Sequence, residues 1–365
     1  MKTISIYTKS GERAATTYYR IYQYTREIEG KYRYNKMLPD GMYRKVMPIS
    51  SKSLFTKTSI FLYINIRVFF QLLQDTINRP DTLIISRRFV NRIFPIPYKW
   101  MLNSMKSRGT KIIWDFDDEI IASKEVTRKG FDYMSCLADH IIVASPVNKE
   151  MVKTLYRDKV VVLPTTDGDM YKYLSDEVVC KRLQIFENEI RLIWVGTSVT
   201  LTYVKQLCFI LDKCAFLLEE KYNKRLILTV VCNLPLENLN LNHISIRNIK
   251  WERAIATNEL LNSHIGLMPL EDNKVNRGKG GFKLIQYLSV GLPVIGSPVG
   301  INSSIISEDV GSKVDALESE QWGKEIEKIC SNKHKWLSYS EASYKKWQID
   351  YSYSNNLKVW EQLLS

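Results

Sequence analysis

Six cysteines and four histidines are all that the 365 residues offer for thiol or imidazole chemistry, and neither set is clustered. Cys136, Cys180, Cys208, Cys214, Cys232 and Cys330 form no C-x-x-C pair and sit in apolar surroundings, which disfavours both a disulfide scaffold and a structural zinc. His140, His243 and His264 lie in or beside strand patterns with no H-x-x-x-H spacing, so a structural role is expected for each. A Walker P-loop and a G-x-G-x-x-G are both missing. The first ten residues lack the charged-then-apolar design of a signal peptide, and the most apolar stretch, 60–73, is interrupted by Asn65 and Arg67. It is also shorter than the roughly 20 residues a spanning helix needs. A helix buried against a sheet is expected there, with shallow membrane contact as the lesser reading. Neither repeats nor low-complexity tracts occur.

Acidic residues are also in deficit. Lys and Arg number 52 against 39 Asp and Glu, a net charge of +13, so anionic partners are favoured: phosphate ligands, nucleic acid or an acidic membrane surface. The apolar share of 45% and charged share of 25% are those of an ordinary globular chain, and the length suits two domains.

Short β-branched runs alternate with helical patterns almost throughout, the mark of parallel sheets covered by helices. Strands are expected at 4–7, 82–86, 111–114, 140–144 and 160–163, with helices at 16–29, 55–74, 98–107 and 147–155 between them. A turn-rich cluster after Pro164, and a polar stretch at 171–188 with no strand period, mark a domain boundary. The alternation restarts with strands at 191–195, 226–232, 265–268 and 294–296 and helices at 202–220 and 280–290, the latter stopped by Gly291 and Pro293. The expected domains are 1–175 and 176–345, with a C-terminal helix in 346–365 that crosses back to the first domain.

Open α/β sheets bind ligands at the C-terminal ends of their strands, so a cleft between two such domains is the expected site. The densest signal for it is Asn276-Arg277-Gly278-Lys279-Gly280-Gly281-Phe282-Lys283. Glycines let backbone amides approach a ligand, a helix start follows, and Arg277, Lys279 and Lys283 surround it, which describes a diphosphate site. A solvated basic helix start fits the same residue types equally well. At 100° per residue, Lys279, Lys283, Gln286, Tyr287 and Val290 share one helix face and Phe282, Ile285 and Leu288 another, giving a ligand side and a core side. Gly196, Thr197 and Ser198 follow an apolar strand and form a second place where a phosphate or sugar can lie on backbone. Pro298 and Gly300 belong to a third strand-to-helix turn, for which plain turn chemistry is the bland reading. Asp115, Asp117 and Asp118 form the acidic cluster at a strand end. They suit hydroxyl orientation, proton acceptance, a D-x-D metal site or a helix N-cap. Arg87 and Arg88 also follow a strand, where a surface pair is as good a reading as a ligand contact.

From Lys250 to Trp322 the chain resembles the second domain of GT-B glycosyltransferases, specifically the family-four, retaining, nucleotide-sugar-dependent group. The residues that carry the likeness are Ile265-Gly266-Leu267-Met268-Pro269-Leu270, Gly278-Lys279-Gly280-Gly281-Phe282-Lys283, Gln286-Tyr287-Leu288, Gly291-Leu292-Pro293-Val294 and Ser297-Pro298-Val299-Gly300. Weaker likeness runs through Tyr19-Arg20, Trp114-Asp115-Phe116-Asp117-Asp118 and Ala138-Asp139. The resemblance implies two Rossmann-like, doubly wound domains facing a central cleft. It also implies transfer of a sugar, with retention, from a nucleoside-diphosphate sugar to a hydroxyl of a lipid-linked or oligosaccharide acceptor, as in bacterial surface-polysaccharide synthesis.

On this reading Lys283, Lys279, Asp117 and Asp118 are catalytic. Gly196, Thr197, Ser198, Trp251, Arg277, Gly278, Gly280, Gly281, Gln286, Tyr287, Pro298 and Gly300 hold the donor, Trp251 standing where relatives seat the base. Two glutamates that many of these enzymes carry are replaced by Gly278 and Gln286, and of these only Gln286 can still bond ribose hydroxyls. No metal and no cofactor beyond the donor is expected. The location implied is cytoplasmic, with peripheral contact to the inner face of an anionic membrane, and no nucleic-acid partner is expected. An epimerase of similar two-domain architecture, or a non-catalytic nucleotide- or nucleic-acid-binding module, are the alternatives.

Overall fold

The computed structural model describes residues 1–12, 14–46, 52–88 and 95–365, which form two compact units. The first holds Met1–Thr165, Gly278–Gly280 and Ser354–Ser365, and the second Thr166–Arg277 and Gly281–Tyr353.

Unit 1 is built on strands β1 (Thr3–Thr8), β2 (Lys31–Lys36), β3 (Thr82–Ser86), β4 (Lys111–Phe116), β5 (His140–Val143) and β6 (Val160–Val162). They form one sheet in the order β2-β1-β3-β4-β5-β6, and every pairing is parallel. Both faces are covered, so inner strands such as Leu83-Ile84-Ile85 are apolar without alternation. The long helix Leu54–Asn78 is capped by Ser53, whose hydroxyl accepts from the Thr56 amide at 3.3 Å, and it ends where Arg79 turns left-handed ahead of Pro80. Its buried stripe, Ile60, Ile64, Val68 and Leu72, recurs every fourth residue and packs on the sheet. Among the described residues no helix is long and apolar enough to cross a membrane.

In unit 2, β7 (Glu189–Val195), β8 (Arg225–Cys232), β9 (Ser245–Lys250), β10 (Ile265–Met268), β11 (Val294–Gly296) and β12 (Gly311–Lys313) form a second parallel sheet, ordered β12-β11-β10-β7-β8-β9. The helix Leu201–Tyr222 covers one face and ends at left-handed Asn223. The helix Phe282–Leu288 runs into Gly291, whose φ of 64° supplies the left-handed turn before Pro293.

Several elements depart from the sequence reading, and three of them bear on the sheets and the domain boundary. β2 carries Lys31, Arg33 and Lys36 among tyrosines; it is an edge strand, where charge guards the open backbone and hides the apolar signal. β12, Gly-Ser-Lys, has no apolar or β-branched residue and so gives no strand signal. Within 171–188 the helix Asp176–Phe186 forms, capped by Ser175 and buried through Arg182 and Phe186. Arg182 gives its Nε, Nη1 and Nη2 to the carbonyls of Leu261, Val290 and Leu260 at 2.9, 2.7 and 3.0 Å, a load-sharing that a polar reading of this stretch cannot foresee. The terminal helix Tyr353–Leu364 lies in unit 1 from Ser354 onward: Asn356 donates to Pro164 O at 2.6 Å and to the Tyr24 hydroxyl at 3.1 Å.

Candidate functional site

In unit 2 the parallel strands bring the loops after β7, β10 and β11 to one edge of the sheet. The Trp194 ring lies beneath the backbone of Gly196 so closely that a Cβ there would sit 2.2 Å from a ring carbon. Only glycine permits that approach. The Lys283 ammonium stands 5.3 Å from the centroid of the same ring, a cation–π distance. Lys283 and the Gly196 turn, read separately from the sequence, are thus joined through one indole. The loop beyond is pinned by Asn233, whose Oδ1 accepts from the Ser198 amide at 3.0 Å, while Thr197 is exposed.

The other donor-side residues distribute as follows. Arg277 is exposed and paired with Asp272, Nε to Oδ1 at 2.5 Å and Nη2 to Oδ2 at 2.8 Å. Its carbonyl backs onto Gly300, where a Cβ would meet it at 2.1 Å and where φ is 59°. Gly281, also left-handed, precedes the helix Phe282–Leu288. Pro298 is half-buried, with its carbonyl accepting from the Ser303 hydroxyl at 2.6 Å. Trp251 is half-buried against the apolar cluster of β7, β8 and β10. Gln286 is buried and its Nε2 donates to Asp167 Oδ2 at 3.2 Å.

The expected two-sided helix needs correction. Tyr287 and Val290, placed on the ligand face by 100° spacing, are fully buried, as are Leu284, Ile285 and Leu288. The Tyr287 hydroxyl accepts from the Val195 amide at 3.1 Å and donates to Leu267 O at 3.3 Å, and its ring fills the space left by Gly266. Burial pushes this phenol well above the usual tyrosine range. A short helix packed between a sheet and a further helix is enclosed on most of its circumference, which sequence spacing cannot reveal. Tyr287 is therefore a strut between β7 and β10 and not a ligand group.

Unit 1 holds the acidic cluster. Asp115, at the end of β4, is wholly buried and its Oδ1 takes both Nε and Nη2 of Arg20, at 2.8 and 2.6 Å. Arg20 sits in a π-helical stretch, Tyr18–Tyr22, and its Nη1 also reaches Leu163 O at 2.8 Å and Thr165 Oγ1 at 3.0 Å. Asp115 is thus spent inside the sheet, and the D-x-D reading loses its first carboxylate. Among the described residues no group of three His, Cys, Asp or Glu is arranged to hold a metal ion.

Asp117 and Asp118 remain near the edge, organised by Arg87: Nη2 lies 2.6 Å from Asp118 Oδ2 and Nη1 3.5 Å from Asp117 Oδ1. Glu125 Oε1 is 3.4 Å from the same Nη2. Arg87 has a positive φ of 56°, held by its amide on Asp115 O and by its carbonyl, which accepts from Trp114 Nε1 at 2.9 Å. Burial pushes the Asp117 carboxyl up to about 6; Arg87 opposes the shift and Asp118 adds to it.

Gly278 and Gly280 belong to this unit as well. Gly278 O accepts from Asn148 Nδ2 at 2.8 Å, and a Cβ at Gly278 would come within 2.4 Å of Glu119 Cβ. Gly280 abuts Ala144, and Lys279 between them is half-buried. Asn148, Asn233 and Asp167 were not singled out by sequence, since each acts through partners far away in the chain; Arg87 was noted at its strand end, but not as the hub that gathers Asp117, Asp118 and Glu125.

No protein-family model and no curated protein matches this chain. Among solved structures it is similar to HepE of Anabaena in complex with UDP and glucose, at 11% identity over 100% of both chains and a TM-score of 0.66. It is likewise similar to sucrose-phosphate synthase of Thermosynechococcus elongatus, at 9% identity over 100% of this chain and 98% of that one, TM-score 0.64. A third likeness is to the UDP-GlcNAc 2-epimerase of Neisseria meningitidis bound to UDP-GlcNAc, at 13% identity over 100% and 99%, TM-score 0.52. Two six-stranded parallel sheets, each wound with helices, and these neighbours together establish the fold as GT-B, with two Rossmann-like units.

Proposed function

We propose that the chain is a glycosyltransferase that moves a sugar, with retention, from a nucleoside-diphosphate sugar to a hydroxyl of a lipid-linked or oligosaccharide acceptor in surface-polysaccharide synthesis. The observation that carries this reading is the Lys283 ammonium held over Trp194 against the Gly196 turn. A leaving diphosphate gains negative charge as the glycosidic bond breaks, and a fixed cation beside open backbone lowers that barrier without a metal. Gly196, Thr197 and Ser198 take the phosphates, Trp251 stacks the base, and Gln286, drawn from Asp167, bonds the ribose. Lys279 adds a second cation. UDP is the first nucleotide to try, since the HepE and epimerase structures hold it or its sugar. Unit 1 takes the acceptor, with Asp117 receiving the hydroxyl proton and Asp118 positioned with it by Arg87.

The enzyme works on the cytoplasmic side, in peripheral contact with anionic membrane. The helix Leu54–Asn78 supports this by exposing Phe55, Leu62, Ile66 and Phe70 along one stripe.

The test is thermal stabilisation of the purified protein by UDP, GDP, ADP and CMP and their sugar conjugates, with EDTA or with Mn. Stabilisation by one nucleoside diphosphate in EDTA, lost in Lys283→Ala, is expected; no stabilisation, or stabilisation only with Mn, refutes the donor site. The epimerase likeness favours a second reading, in which UDP-sugar is converted and not consumed. Sugar-nucleotide chromatography separates the two: release of UDP with a glycosylated product supports transfer, and an epimeric UDP-sugar supports the alternative.

A further inference from the structure

At the C-terminal ends of β1 and β3, Lys9, Arg87 and Arg88 converge with Thr16, Thr17 and Glu125 around a pocket of about 200 Å³ within unit 1. The charges here do not balance. Arg87 has Asp117, Asp118 and Glu125. Among the described residues Arg88 has only a carbonyl, its Nη1 lying 3.2 Å from Glu125 O, and its buried Nε has no hydrogen-bond partner. Lys9 has no carboxylate at ion-pair distance among the described residues. Burial pushes its ammonium below the usual lysine range; Glu125 opposes this, and Arg88 and Arg87 add to it. Two cations are therefore drawn out of water next to a third with, among the described residues, no carboxylate at ion-pair distance of their own. That arrangement is unfavourable in the empty protein and becomes favourable when an anion enters.

We infer that this pocket binds a phosphate group, and that it takes the phosphate of a phosphorylated acceptor, a polyprenyl phosphate or a phosphosugar, in the transfer proposed above. The size is right for a phosphate with its ester carbon and small for a nucleotide, whose sites run to about 300 Å³ or more. Guanidinium and ammonium donors match the tetrahedral oxygens of a phosphate dianion, and Thr16 and Thr17 line the same space. Arg87 faces the pocket on one side and pairs with Asp117 and Asp118, so phosphate binding is coupled to the position of the proposed proton acceptor. The acceptor assignment rests on the transfer reading; the phosphate site does not.

The experiment measures inorganic phosphate binding to the full chain by calorimetry, with and without saturating UDP. Phosphate is expected to bind in both conditions. Lys9→Gln and Arg88→Gln are each expected to weaken phosphate binding by about ten- to a hundredfold with UDP affinity unchanged. Lys9→Arg should retain phosphate. Phosphate affinity untouched by both glutamine variants, or abolished by UDP, overturns the site. UDP failing to bind while phosphate still depends on Lys9 and Arg88 leaves the pocket standing and removes the transfer reading. Farnesyl phosphate and glucose 6-phosphate then separate the sources: whichever binds more tightly than inorganic phosphate, in a manner dependent on Lys9, names the acceptor class. If neither does, the acceptor assignment is wrong.

Discussion

Tyr287→Phe separates a core strut from a ligand group. β7 and β10 pair through Ile265 with Leu192 and Gly266 with Ile193, and beyond those rungs the Tyr287 hydroxyl bridges the Val195 amide and the Leu267 carbonyl. The phenylalanine variant keeps the ring against Gly266 and deletes only the oxygen. It leaves one buried N–H with no acceptor and a carbonyl short of one donor, a loss of about 2 kcal/mol. For a unit of this size a kcal/mol shifts Tm by about 2–4 °C, so the expected fall is about 4–8 °C. Calorimetry with and without UDP is the assay. The UDP-induced increment in Tm should match that of the unaltered protein, because the hydroxyl is enclosed between strands. A Tm unchanged within about 1 °C, together with a weaker UDP increment, refutes the reasoning and returns Tyr287 to the ligand face.

Other perturbations act on single contacts. Gly196→Ala forces the Trp194 ring aside, and should lower Tm by an amount matching about 1–3 kcal/mol while weakening UDP binding through Lys283. Transfer should fall about tenfold between pH 7 and pH 5, because the Asp117 carboxyl held near 6 is ionised at the first and protonated at the second; a flat profile removes Asp117 as proton acceptor. The sign for stability is opposite: a carboxyl raised in the folded state favours folding at low pH, and that contribution is lost as pH rises through about 6. Asp117→Asn should therefore gain stability relative to the unaltered protein as pH goes from 4 to 7, followed by Tm. Flotation with anionic vesicles should occur at low salt and weaken at high salt, and Phe55→Ser with Phe70→Ser should reduce it; binding indifferent to both ionic strength and these changes refutes the membrane role.

How much was legible follows from which contacts are local. Nine of the parallel strands announce themselves as short β-branched runs, because burial on both faces keeps most of their residues apolar. Lys31–Lys36 escapes because an edge strand is written in charge and tyrosine. In the candidate site, Lys283 and Gly196 stand out by composition, yet their meeting through Trp194 is tertiary. Arg20 and Asp115 look like two unrelated polar residues in the sequence; the structure closes them into one buried ion pair, which turns the most inviting carboxylate into scaffold. Helical spacing also misassigns Tyr287, since it reports which residues share a face but not how many faces are covered.

The glycine at position 278, where the enzymes that the sequence resembles carry a glutamate, has a packing account. Gly278 is fixed through its carbonyl by Asn148 and stands against Glu119, whose carboxylate in turn accepts the amides of Ile121 and Ala122 at 3.2 and 3.1 Å. A side chain at Gly278 has no space to occupy while Glu119 keeps that position. Gly278→Glu, the change toward the pattern of the enzymes it resembles, should then destabilise unit 1 by about 1–3 kcal/mol and fail to improve sugar-nucleotide binding. Pairing it with Glu119→Ala removes the caps on Ile121 and Ala122 but does not clear the Cβ contact, so the double variant should be no more stable than the single one. If Gly278→Glu is neutral and tightens the donor, the loop is free to move off Glu119 and the glycine is not a packing requirement.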